Sequence, residues 1–147
     1  METEYYLIMK IMDKRYIAKA RDVVEVLFLD AVNKIPSMKD YIEGIVIRNG
    51  ILIPLVNLEK GEKYGKEINK YAIIFMINER YIGLICDEVD MVVGDRINII
   101  SDNNMLKRYN YNEEFIELLL EINDEVHGLI EIQKLYRIFE ENNIRRN

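Results

Sequence analysis

The sequence predicts a mostly β protein built from two small barrels, with one amphipathic helix at its C-terminal end. Three observations carry that expectation. Apolar runs are short, rich in Ile, Val and Tyr, and separated by turn residues at intervals of about ten, the spacing of an all-β barrel or sandwich. A polar stretch from Glu59 to Lys70, with Gly61 and Gly65 and no periodicity, divides the runs into two groups of comparable size. Only one segment, near the C-terminus, has a clear helical period.

Taken in order, Tyr5 to Met12 and Arg15 to Ala20 flank Asp13-Lys14 as a first hairpin. Arg21 to Val26 reads as a helical turn running into a strand that extends through Phe28. The clearest local signal is Gly44 to Leu58, where Asn49-Gly50 separates two apolar runs. That pair suits a tight two-residue turn whose central positions both need positive φ, and it sets Ile47 opposite Leu52 and Val46 opposite Ile53. These runs are apolar at consecutive rather than alternate positions, so both faces should be covered. Pro54 lacks an amide donor and belongs at a bulge or a sheet edge. After the polar stretch, Tyr71 to Ile77, Tyr81 to Cys86 and Val89 to Val93 form a second set, with Asn78-Glu79-Arg80 as its first turn. Asp95 to Asn112 is mostly polar and irregular, with Ile97, Ile99 and Ile100 as a short buried piece. Phe115 to Ile122 and Val126 to Ile132 flank Asn123-Asp124-Glu125 as a last hairpin. Ile132, Leu135, Tyr136 and Phe139 fall on one face of the closing helix.

Composition limits what this fold can do. The 147 residues suit a single domain over 1–147, its two lobes meeting within 59–70. Size scaling allows about 70 % of the unfolded surface to be buried, so the core needs no staple. The single cysteine, Cys86, excludes an internal disulfide and a multi-Cys metal site, and fits a reducing cytoplasm. Apolar runs of about six residues cannot span a bilayer, and the acidic Met1-Glu2-Thr3-Glu4 start is unlike a basic secretion signal. The net charge of −6 argues against a nucleic-acid surface, which needs clustered cations. Residues 1–60 carry nine acidic and nine basic side chains, and 61–147 carry seventeen and eleven, an asymmetry that can orient a protein partner.

Candidate catalytic groups are few. His127, the only histidine, has no second His or Cys at ligand spacing, and a surface or half-buried strand position is favoured. Cys86 lies in an apolar stretch beside Asp87, which disfavours the thiolate, so packing is favoured over a nucleophile. Asp87, Glu88 and Asp90 lack the ligand spacing and closing glycine of a calcium loop and read as a solvated turn. Gly61 and Gly65 precede no Lys-Ser/Thr pair, so no phosphate loop is present. No catalytic, cofactor or metal site is expected, and a binding or scaffold role remains.

The order of the pieces adds a resemblance. Val23-Val24-Glu25-Val26, the run from Pro36 through Tyr41-Ile42-Glu43-Gly44, the hairpin Gly44 to Leu58, and Ile82-Gly83-Leu84-Ile85-Cys86-Asp87-Glu88-Val89 follow one another at the intervals of the CheW-like adaptor domain of bacterial chemotaxis. From about Tyr5 to Tyr136 the chain resembles that family. It departs at several positions: Asn49 stands for the family's hairpin arginine, with Arg48 beside it, and Ile47 for the asparagine before it. Asn57 stands for an aspartate, Leu118 for a late glycine and Glu131 for a late aspartate.

The resemblance implies two five-stranded, SH3-like barrels, each closed around its own core, and a protein without catalytic activity. It implies two partners, the regulatory domain of a chemotaxis histidine kinase and the helical cytoplasmic tip of a chemoreceptor. Location would be cytoplasmic, with recruitment to receptor arrays at the inner face of the membrane. Kinase contact is expected around Val89 and Val92. The receptor helix is expected in the groove between lobes near Val26, Tyr41, Arg48 and Asn49, with Glu25 also a contact residue. Val26, Val89 and Val92 suit a plain core equally well, and Arg48 and Asn49 suit a plain turn. Two alternatives stand beside this reading: a diverged paralogue serving another two-component system, and a small-ligand-binding barrel or enzyme using Asp87, Glu88 and Asp90.

Overall fold

A computed structural model describes residues 4–33, 41–59, 67–100 and 104–144. Strands β1 (Tyr5–Ile11) and β2 (Lys14–Lys19) form the first hairpin, and a short 3-10 turn at Ala20–Asp22 leads into β3 (Val23–Ala31). Next come the hairpins β4 (Ile42–Arg48) with β5 (Ile51–Val56) and β6 (Glu67–Ile77) with β7 (Arg80–Cys86), then β8 (Glu88–Val93). A second 3-10 turn at Gly94–Arg96, β9 (Asn98–Ile100) and the one-turn helix α1 (Met105–Arg108) precede the last hairpin, β10 (Ile116–Ile122) with β11 (Glu125–Ile130). Helix α2 (Ile132–Ile144) follows it.

Turn chemistry sets the hairpins. Asn49 and Gly50 have φ of 52° and 78°, and Asn78-Glu79 and Asn123-Asp124 are likewise positive at both positions, the turn whose twist matches paired strands. Val46 pairs with Ile53 and Ile47 with Leu52, the expected register. Pro54 lies just beyond the parallel ladder of β5 to β7, which covers only Leu55 and Val56, so its missing amide costs that ladder nothing.

The strands sort into a five-stranded sheet, β3-β6-β7-β5-β4, and a six-stranded sheet, β8-β1-β2-β11-β10-β9. The short β9 supplies the sixth strand. Sheet membership corrects the expected lobe boundary. β5 and β6, on either side of residues 60–66, belong to one sheet, and the chain changes sheets at Ala20–Asp22 and at Asp87. Local reading could not see this because both sheets depend on non-local parallel pairs, β5 with β7 and β2 with β11.

The five-stranded sheet closes into a barrel through one backbone bridge. Asn33 N donates to Ile45 O at 3.1 Å and Ile45 N donates to Asn33 O at 2.9 Å, joining the end of β3 to β4. Gly44 permits that approach, because a Cβ there would lie 2.4 Å from Val32 Cγ1 and 2.5 Å from the Asn33 carbonyl oxygen.

Strand alternation places the core. Leu7, Met9 and Ile11 of β1 meet Ile73, Phe75 and Ile77 of β6 and Ile82, Leu84 and Cys86 of β7 in one cluster shared by the two sheets. The alternate residues face inward: Leu55, Ala72, Ile74 and Ile85 fill the five-stranded barrel, and Ile17, Leu120, Ile122 and Leu129 fill the six-stranded one. Consecutive apolar residues in β6 and β7 are therefore covered on one face by their own lobe and on the other by its partner. Each barrel thus closes around its own core, as expected, and a third, larger cluster lies between them. The β4–β5 tip is a second correction, because Ile47 and Leu52 lie outside all three clusters and are 57 % and 61 % exposed. Ile99 is a third: it sits on an edge strand and is 69 % exposed, while Ile97 and Ile100 pack against the cores.

Leu135 of α2 is buried in the shared cluster, with Ile132 and Tyr136 packed against it. Pro36, Gly61, Gly65 and the side chain of Phe139 lie outside the described residues. Among those residues, no helix is long and apolar enough to cross a membrane.

Candidate partner-binding surfaces

Glu25 and Arg48 are brought together across the barrel seam. Arg48 Nε lies 3.3 Å from Glu25 Oε2, and its NH2 group donates to Oε1. The pair links β3 to β4 at the end of β3 away from the closing bridge, but it is open to water and contributes only about 0–1 kcal/mol. Asn49 follows Arg48 in the exposed turn. Its positive φ explains the asparagine, since an arginine there would hold a left-handed backbone at a cost of about 1–2 kcal/mol.

Val26 points the other way. It pairs with Ile73 and Glu25 pairs with Ile74, so strand alternation puts the valine on the outer face. There it joins Val24 and Phe28 in an exposed apolar stripe, with Phe28 56 % exposed and its ring 5.5 Å from that of Tyr71. Sequence reasoning named only Val26. The alternation Val24, Val26, Phe28 was the available signal, obscured by the apolar Val23, Leu27 and Leu29 between them. Ile47 and Leu52 add a second exposed apolar pair on the β4–β5 hairpin.

Tyr41 is a joint residue. Its ring packs edge-to-face on Phe115 at 5.5 Å, its hydroxyl accepts from Asn112 Nδ2 at 3.1 Å, and its carbonyl accepts from Asn57 N at 2.7 Å. Val89 and Val92 are both half-buried on β8 but face opposite ways: Val89 pairs with Met9 over the shared core, and Val92 pairs with Tyr6 over the inner core of the six-stranded sheet. The exposed apolar neighbour on Val89's face is Met91.

Two carboxylates fasten the lobes together. Asp87 Oδ2 accepts from Met12 N at 2.7 Å, and its Oδ1 lies 2.7 Å from Lys70 Nζ. Glu59 Oε1 accepts from the Tyr16 hydroxyl at 2.9 Å, with Lys14 Nζ at 3.7 Å. Because β5 and β7 run parallel, both acids emerge from the same end of the five-stranded sheet and hold the β1–β2 hairpin. Burial, reinforced by the Glu59 charge, raises the Tyr16 pKa. Tyr111, edge-on to Tyr16, donates to Arg15 O at 2.6 Å, and burial pushes its pKa up to about 12. Asn57 is buried, donates to Glu43 Oε1 at 3.3 Å and accepts from Glu59 N at 3.0 Å. An aspartate there would set a second carboxylate against Glu43, which accounts for this departure from the family pattern.

Of the groups weighed for catalysis, Cys86 is wholly buried, and burial followed by the Asp87 charge pushes its thiol up to about 12. Asp87 is engaged at the joint, apart from the exposed Glu88 and Asp90. His127 is only 3 % exposed, against the expected surface or half-buried position, because β11 turns it inward. Among the described residues no three His, Cys, Asp or Glu side chains are placed to hold a metal ion. Divided by sheet, residues 23–86 carry eight acidic and eight basic side chains, so the whole −6 belongs to the segments that build the six-stranded sheet.

A family model described as the CheW-like domain matches residues 5–140. The crystal structure of the scaffolding protein TtCheW from Thermoanaerobacter tengcongensis superposes with a TM-score of 0.70 at 23% identity, covering 88% of this chain and 90% of that chain. No curated protein matches.

Proposed function

Because the chain belongs to the CheW-like domain family, a family of non-catalytic chemotaxis scaffolds, we propose that it couples the helical cytoplasmic tips of chemoreceptors to the regulatory domain of a histidine kinase. The match over residues 5–140 carries this reading. It acts by contact, in the cytoplasm, and reaches the membrane only through receptors in an array.

Two surface features support it. The stripe Val24, Val26 and Phe28 offers an apolar track next to the Glu25–Arg48 pair, suited to one face of a helix. Val89 and Met91, on the lobe that carries the acidic excess, offer a separate face for the kinase. The domain is a single unit over 1–147, its lobes locked by the shared core.

The test is a pull-down of the full chain with the kinase regulatory domain and, separately, with a receptor tip from the same genome. Binding at tens of micromolar is expected to both, and Phe28→Ser should weaken the receptor contact by about tenfold. Absence of binding to either partner would sink the proposal. A second reading, a paralogue decoupled from receptors, is favoured by Asn49 in place of the family arginine. Receptor-dependent kinase activation that appears only in Asn49→Arg would establish it.

A further inference from the structure

The open end of the six-stranded sheet holds a cavity of about 490 Å³, within the size range of small-molecule sites and at a barrel mouth, where such sites recur. Its apolar lining includes Ile8 and Ile122. Its rim carries both signs of charge: the register sets Glu88, Lys10 and Arg15 in one row across β8, β1 and β2, on the same face as Ile8 and Asp90. Arg15 is paired with Glu125. Lys10 and Glu88 have no ion pair among the described residues, and Asp90 Oδ1 accepts only the Met91 amide, at 2.8 Å.

His127 lines the same cavity while being almost wholly buried. Its Nδ1 donates to the Glu125 carbonyl at 3.0 Å, which leaves Nε2 as an acceptor with no protein partner among the described residues. Desolvation lowers its pKa, so the ring stays neutral and Nε2 keeps its lone pair. An acceptor on a buried ring, opening on a cavity whose rim sets a cation beside two carboxylates, is complementary to a ligand with the opposite pattern.

We propose that this mouth binds a small zwitterion, its ammonium or guanidinium group on Glu88 and Asp90, its carboxylate on Lys10, and a donor hydrogen on His127 Nε2. This does not depend on the adaptor role. It reassigns two of the three carboxylates weighed from sequence and leaves Asp87 to the joint.

The experiment titrates the isotopically labelled full chain with free lysine, arginine and glycine, following the His127 ring nitrogens and the Ile8 and Ile122 methyls by NMR. Saturable shifts with a midpoint at or below about 1 mM are expected for at least one of them. The same probe should bind at least about tenfold more weakly to Asp90→Asn, whose strand-edge position leaves the remaining spectrum unchanged, and His127→Gln should repeat the loss. No saturable shift up to about 10 mM with any probe would overturn the proposal. So would equal shifts with N-acetyl-lysinamide, which would mark a socket for a partner's side chain, or shifts indifferent to Asp90→Asn.

Discussion

Gly44→Ala should open the seam of the five-stranded barrel. The added methyl would lie 2.5 Å from the Asn33 carbonyl oxygen and 2.4 Å from Val32 Cγ1, where ordinary contact begins at 3.4 Å. The first neighbour is backbone and cannot rotate away, so β3 and β4 must part by about 1 Å. That movement breaks the two Asn33–Ile45 hydrogen bonds, at about 1 kcal/mol each, and adds about 1–3 kcal/mol of overpacking. Reduced freedom of the unfolded chain returns about 0.4–1 kcal/mol, leaving a net loss of about 2–5 kcal/mol. Urea unfolding followed by circular dichroism reads the loss as a lower midpoint at constant slope, and the Ile45 amide should lose its exchange protection. Gly83→Ala is the comparison, since its methyl would meet the Leu55 Cδ2 and Ile74 Cδ1 atoms at 2.6 Å and 3.1 Å, the mobile ends of side chains. A Gly44→Ala loss below about 0.5 kcal/mol, or a larger loss at Gly83, would refute the reasoning. If the proposed receptor surface around Glu25, Val26 and Arg48 is used, receptor binding should also fall in Gly44→Ala, although none of those residues is substituted.

Asp87→Asn keeps an acceptor for the Met12 amide but loses the Lys70 ion pair, and should cost about 1–3 kcal/mol in thermal unfolding, with faster exchange at Met12. Tyr16→Phe removes the hydroxyl on Glu59 and should cost about 1.5–3 kcal/mol, with the Lys14–Glu59 pair retained; an unchanged midpoint would mean that this contact carries no load. Cys86 should resist alkylation at pH 8.5 in the native protein and react on unfolding. Its folded pKa of about 12 exceeds the unfolded value of about 8.5, so its contribution is intact below pH 8.5 and declines as the pH rises towards 12, a slope that Cys86→Ala should flatten.

Local chemistry made much of the fold legible. Asn49-Gly50 fixed a turn, a register and hence which side chains face one another, because two positive φ angles leave few alternatives. The helical face of Ile132, Leu135 and Tyr136 was readable for the same reason: its period is local. Partition of strands between sheets was not readable, since an apolar run such as Tyr71 to Ile77 looks the same whichever sheet covers it. The candidate site suffered from this ambiguity. Val26 and Val89 could be named, but Glu25 and Val26 were set on opposite faces, as were Val89 and Val92, only once the pairings were known. Ile47 and Leu52 carried no sequence mark of exposure, and Tyr41 none of its place against Phe115.

The interleaving of the two sheets also gives the chain a schedule. The five-stranded barrel draws all its strands from residues 23–86 and can close while the rest is still being made. The β1–β2 hairpin leaves the ribosome first, yet its sheet partners β8 and β11 come only after all five strands of the other sheet. Until the residues from Tyr111 to Leu135 emerge, the outer faces of β6 and β7, with Ile73, Phe75, Ile82 and Leu84, have only the β1–β2 hairpin available to cover them. The surface that later welds the lobes together is thus a hydrophobic face left incompletely covered while the chain is being made, and a place for a chaperone to hold.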